Sequence, residues 1–142
     1  MILAHFLSRR RERHARFAAA ALAFRSAFSA ELAALEPNVE GPKSVEDFLR
    51  SAYEKHRSAV IIFRDFLPDK QRANFDADWQ KYHSGQEIDG EPVDLSDISF
   101  EGTKGLFLEY SPWPGGFQRR DTNPKALAAE RIDKLLSYAR HT

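Results

Sequence analysis

The chain has 142 residues, the length of one domain, with 42% hydrophobic residues, eleven Phe and 30% charged residues. Its 21 Lys and Arg balance 21 Asp and Glu, which argues against a protein that coats nucleic acid through overall basicity. The absence of cysteine excludes disulfides, thiolate catalysis and Cys-based metal or iron–sulfur sites, and it fits a reducing cytoplasm.

The charge is unevenly placed. The first sixteen residues hold Arg9, Arg10, Arg11, Arg13 and Arg16 against Glu12 alone. Ahead of them, Met1–Leu7 is apolar apart from His5. A spanning helix needs about 20 apolar residues, so no segment is expected to cross a membrane. The order, apolar and then basic, is the reverse of a secretory signal and matches the cytoplasmic flank of a membrane helix. An anchor upstream of Met1 is therefore one alternative; the simpler reading makes Ile2, Leu3, Phe6 and Leu7 the first turns of a soluble helix.

Residues 2–35 read as one long helix. Phe17, Ala21, Phe24, Phe28 and Leu35 follow a helical stripe, and a run of alanines adds propensity. Pro37, Gly41 and Pro42 end it. A second helix over 44–67 opens on Ser44, with Glu46 and Asp47 in its first turn. Its stripe is Val45, Leu49, Ala52, His56, Ala59, Phe63 and Phe66. A third helix, 69–83, places Phe75, Trp79 and Tyr82 on one face.

Residues 84–123 form an irregular acidic, Pro/Gly-rich insert. Glu87, Asp89, Glu91, Asp94, Asp97 and Glu101 stand there with no cation between 84 and 103. Asp97–Phe100 and Leu106–Tyr110 are candidates for a short β-hairpin. Asn123-Pro124 is a helix-start signal for a last helix over 124–140. The expectation is a single mainly α domain, 1–142. A long antiparallel helical hairpin, 2–67, and two shorter helices make it four-helix-bundle-like.

If the first turn centres near residue 40, facing residues sum to about 80 across the hairpin. Phe17 then meets Phe63, Ala21 meets Ala59, Phe24 meets His56, and Phe28 meets Ala52. Residues 2–12 outrun the second helix by about 15 Å, and the stripe turns basic where its partner ends.

That overhang makes Arg9, Arg10, Arg11, Arg13 and Arg16 the candidate contact for an anionic partner, since guanidinium groups bind phosphate and carboxylate bidentately. The expected partners are an acidic protein surface or a second copy of the chain, then a membrane surface. Nucleic acid has least support, because no aromatic residue interleaves with the arginines and no helix-turn-helix or zinc-finger spacing occurs. Trp113, in Pro112-Trp113-Pro114-Gly115-Gly116, is a candidate protein-contact residue or a plug for its loop.

His56 lies on the inner stripe without the Glu-x-x-His pairing of bundle metal sites, and the acidic insert lacks EF-hand spacing, so no metal or cofactor is expected. No nucleophile constellation or phosphate-binding glycine loop is present, and the chain reads as a non-enzyme.

Phe24-Arg25-x-x-Phe28, Phe63-Arg64-x-Phe66-Leu67, the Phe75…Trp79…Tyr82 stripe and Ala129-Glu130-Arg131-Ile132…Leu135-Leu136 together resemble a loose group of small uncharacterised bacterial helical proteins. Some of these carry a membrane helix before the first arginines. The resemblance implies a bacterial source and lends weight to membrane association; it implies no activity. The sequence thus points to a cytoplasmic binding or regulatory protein. The alternatives are a self-assembling module, basic end to acidic insert, and a membrane-associated protein whose anchor is missing.

Overall fold

The computed structural model describes residues 2–84, 87–88, 91–92, 107, 110 and 123–140. The fold is mainly helical, as the periodicity indicates. In chain order it runs α1 (Ile2–Ala34), α2 (Val45–Ser51), α3 (Tyr53–Arg64), α4 (Asp69–Ser84), β1 (Glu87–Ile88), β2 (Glu91–Pro92) and α5 (Pro124–Ser137).

The start signals work as chemistry requires. Ser44 Oγ accepts the Asp47 N–H at 3.2 Å, and Asn123 Oδ1 accepts the Lys125 N–H at 3.0 Å ahead of Pro124. At its far end α5 is capped from outside: Arg25 of α1 donates to the Ala139 carbonyl at 2.7 Å, a cation at the negative helix end.

The expected second helix is two. At Ala52 (φ −94, ψ −2) the N–H turns back to the Leu49 carbonyl at 3.1 Å, and regular bonding resumes when His56 N–H reaches the Ala52 carbonyl at 3.0 Å. No Gly or Pro causes this. The break falls where the packing partner changes: α2 packs on α5 and α3 packs on α1. After α3 the chain tightens, with Phe66 N–H on Phe63 and Leu67 N–H on Arg64, so the helix stops short of the expected 67.

The register between α1 and α3 is also corrected. Phe17 meets Phe63 as expected, with centroids 5.9 Å apart. Deeper in, Phe24 stacks on Phe63 at 4.5 Å rather than facing His56, and Phe28 stacks on His56 at 4.0 Å rather than on Ala52. The connection through Pro37 and Pro42 is longer than a tight turn, and it slides α3 about one turn along α1.

Phe24, Phe28, Phe63, Phe75, Tyr82, Phe107, Leu49, Ile132 and Leu135 form the centre of one continuous core. The Arg64 guanidinium donates to both carboxylate oxygens of Asp76, at 2.8 and 2.9 Å, tying α3 to α4. The acidic segment after α4 holds a two-residue antiparallel pairing, Glu87 opposite Pro92 and Ile88 opposite Glu91. The hairpin expected over 97–100 and 106–110 lies outside the described residues except for Phe107 and Tyr110. These two form a turn: Phe107 has φ 61 and its carbonyl accepts the Tyr110 N–H at 3.0 Å.

α1 also corrects the expectation that no segment reaches spanning length. By length and composition it is apolar enough to cross a membrane, with an 18-residue stretch of mean hydropathy 1.3. That stretch is the alanine-rich half from Phe17 to Ala34, where only Arg25 and Glu31 carry charge. Its inward residues Ala21, Phe24, Phe28 and Glu31 are buried in the fold.

Candidate functional site: a basic groove at the bundle end

The core side of α1 begins at Phe17. Every residue from Ile2 to Arg16 is exposed, whereas Ala21, Phe24, Phe28 and Leu35 are buried. With the register shifted, the overhang is longer than expected, about 22 Å for those fifteen residues at 1.5 Å each. None of the five arginines pairs with a carboxylate among the described residues, and the favourable spacing of Glu12 and Arg16 is not used for an ion pair.

Helical geometry divides the arginines. Stepping back from Phe17 along the core stripe gives His14, Arg13 and Arg10, so the face that packs inside the bundle continues as a basic face beyond it. There it overlooks the α3–α4 corner and the last turn of α5. Between these three parts lies an open groove of about 920 Å³. One wall is Arg10, Arg13, His14, Arg16 and Phe17; the second is Asp65, Phe66, Pro68 and Gln71; the third is Lys134, Ser137 and Tyr138. Four permanent cations therefore face one carboxylate, over a surface of three aromatic rings. Arg9 and Arg11 lie outside the groove and face solvent.

Tyr138 is fixed by its hydroxyl, which donates to Asp78 at 2.5 Å. Burial, then the Asp78 carboxylate, pushes its pKa well above the usual phenol value, so it stays protonated. The groove thus offers guanidinium and ammonium donors beside apolar rings, which suits an anionic group joined to an apolar or aromatic body. Among the described residues that line it, no nucleophile is hydrogen-bonded to a base.

His56 is elsewhere, fully buried against Phe28. Its Nε2 faces Glu31 Oε2 at 3.4 Å and its Nδ1 lies 2.9 Å from the Tyr82 hydroxyl. A carboxylate can only accept, so the Glu31 side assigns the imidazole proton to Nε2 and leaves Nδ1 to accept from the Tyr82 hydroxyl. Glu31 also accepts from Lys55 Nζ at 2.5 Å. Buried Glu31 was not legible as a partner, although it fills the one stripe position between Phe28 and Leu35. Arg131 is a second buried ion missed by pattern: its Nη1 donates to the Lys81 carbonyl at 3.1 Å, and its guanidinium lies 5.6 Å over the Tyr110 ring.

Among the described residues no group of three or more His, Cys, Asp or Glu is placed to hold a metal ion. Trp113 lies outside the described residues, as does most of the acidic insert, of whose acidic residues only the backbone of Glu87 and Glu91 is described. Comparison with protein-family models, curated proteins and solved structures gives no match.

Proposed function

We propose that this is a non-enzymatic binding or regulatory protein of the cytoplasm, which holds an anionic partner on the projecting basic end of α1. One observation carries the reading. The packed face of α1 passes without interruption into Arg13 and Arg10, which stand exposed over a groove that also holds Arg16 and Lys134. A solubilising charge cluster has no need to continue the core face. Guanidinium groups that have no carboxylate partner among the described residues and converge on one concavity are suited to phosphate or carboxylate.

The test compares two charge-matched variants, with inorganic polyphosphate as the probe. Arg10→Gln/Arg13→Gln removes two groove cations, and Arg9→Gln/Arg11→Gln removes two outside it. The groove pair should weaken binding at least five-fold more than the outer pair, and binding should fall as salt rises. Both variants should melt within about 1 °C of the wild type, since exposed substitutions away from the core are nearly neutral. Equal losses from the two pairs, or no loss from either, would remove the groove from the reading.

A further inference from the structure

The first two turns of α1 expose four large apolar side chains to water: Ile2 is 78% exposed, Leu3 77%, Phe6 71% and Leu7 48%. Scattered exposed apolar residues are ordinary on a protein surface. These are not scattered. At about 100° per residue, positions 2, 3, 6 and 7 occupy one side of a helix, with Ala4, His5 and Ser8 on the other. The arginine run follows at once, and Glu12 is the only acid in the first thirty residues.

Resting on the reading of the basic end as an anion-binding element, we infer that its partner is an anionic lipid bilayer. The apolar side of residues 2–7 enters the boundary between head groups and acyl chains, and the arginines engage the phosphates.

The geometry agrees. Interfacial helices lie in the plane of the bilayer with their apolar face buried by about 5–10 Å, and Ile2, Leu3, Phe6 and Leu7 form such a face. Arg9 to Arg16 continue the same helix for about 10 Å along the surface, at the level of the head-group phosphates. Arg10 and Arg13 lie on the same side as the apolar residues, at the groove, and side chains of this length can keep their stems near an apolar layer while the guanidinium groups meet phosphate. Arg9, Arg11 and Arg16 point to the flanks. No Gly or Pro interrupts α1, so the bundle sets the direction of the projecting end.

The rival occupants fit less of this surface. Polyphosphate or a nucleic acid would use the arginines and leave Ile2, Leu3, Phe6 and Leu7 in water. An acidic protein would need an apolar pocket beside its carboxylates, whereas a bilayer supplies an apolar layer under an anionic one everywhere. A single weak apolar insertion holds only in combination with a second signal, and the polybasic run is of the kind that supplies it.

The experiment uses co-sedimentation of the full chain with vesicles of phosphatidylcholine, either pure or with about a third phosphatidylglycerol, and soluble polyphosphate in parallel. The wild type should bind the anionic vesicles at least ten-fold more tightly than the neutral ones. Ile2→Ser/Leu3→Ser/Phe6→Ser/Leu7→Ser keeps every arginine. It should lose at least ten-fold in vesicle binding while its polyphosphate binding stays within two-fold of wild type. Circular dichroism checks that the variant folds, which is expected because none of the four residues belongs to the core.

If this variant binds anionic vesicles as well as wild type, the contact is purely electrostatic and the insertion is overturned. If wild type binds polyphosphate and not the vesicles, the bilayer is overturned and the anion-binding reading stands. If it binds neither, both fall.

Discussion

At the scale of residues, the most consequential group is the buried set of Glu31, His56 and Tyr82. Burial is the main influence on His56 and holds its pKa below the usual imidazole value of 6.5, outweighing the attraction of Glu31. For Glu31 burial acts upward, but the Lys55 hydrogen bond, its own backbone and His56 together take it below 4.5. At neutral pH the core therefore contains a neutral imidazole and a carboxylate paired with Lys55. Below about pH 6.5 the unfolded chain binds a proton on His56 that the folded chain refuses, so stability falls with pH. Glu31 adds a second loss as pH drops below about 4.5, because its depressed pKa stabilises only while it is ionised. Melting temperatures should be level from pH 8 to 7 and decline from about pH 6.5 downward. His56→Gln should be less stable at pH 7 and flatter between pH 6.5 and 5. A wild-type profile that rises on acidification over that range would contradict this assignment. The sequence placed His56 on the inner stripe, yet it hid the partner. The apolar stripe steps from Phe28 to Leu35, and the buried residue between them is a carboxylate, Glu31, matched to a histidine on another helix.

At the scale of elements, caps and stripes were legible because their chemistry is local. Ser44 and Asn123 accept N–H groups two or three residues away, and the Phe stripe of α1 is a property of one helix. The break at Ala52 and the register of α3 on α1 were not legible, since both are settled by which helix lies opposite. The register can be tested by double-mutant cycles to Ala, read by denaturant unfolding. Phe24 with Phe63 should couple by about 1 kcal/mol, the usual worth of an aromatic pair beyond its burial. Phe24 with His56, the pair expected from the simple count, should couple by less than about 0.3 kcal/mol, within the scatter of additivity. Phe24→Ala alone should cost about 3–5 kcal/mol, because the ring is buried against Phe28, Phe63 and Phe75. Phe17→Ala should cost well under half of that, as Phe17 is only part-buried at the core's edge.

For the whole molecule, the basic run was plain in the sequence. The groove it overlooks was not, because Asp65, Phe66, Lys134 and Tyr138 come from the ends of separate elements that meet only on folding. The overhang also differs physically from the body it leaves. Its helix is continued from a nucleated one, so only propagation is needed, and Leu, Ala, Arg and Glu favour that. Against it stand like charges three or four residues apart, Arg9 with Arg13, Arg10 with Arg13 and Arg13 with Arg16. Each such pair costs about 0.2–0.5 kcal/mol. The positive helix start adds to the repulsion, and among the described residues no ion pair offsets it. The amides of residues 4–13 should therefore exchange with solvent at least a hundred-fold faster than those of Phe24 and Phe28. An anionic partner cancels the repulsion that frays this segment. Adding polyphosphate or anionic vesicles should slow exchange over residues 4–16 and leave 21–34 unchanged, as followed by hydrogen–deuterium exchange. Amides of the overhang that are as slow as the core before any anion is added would mean that the projecting end is already held, and the coupling between its order and its partner would be lost.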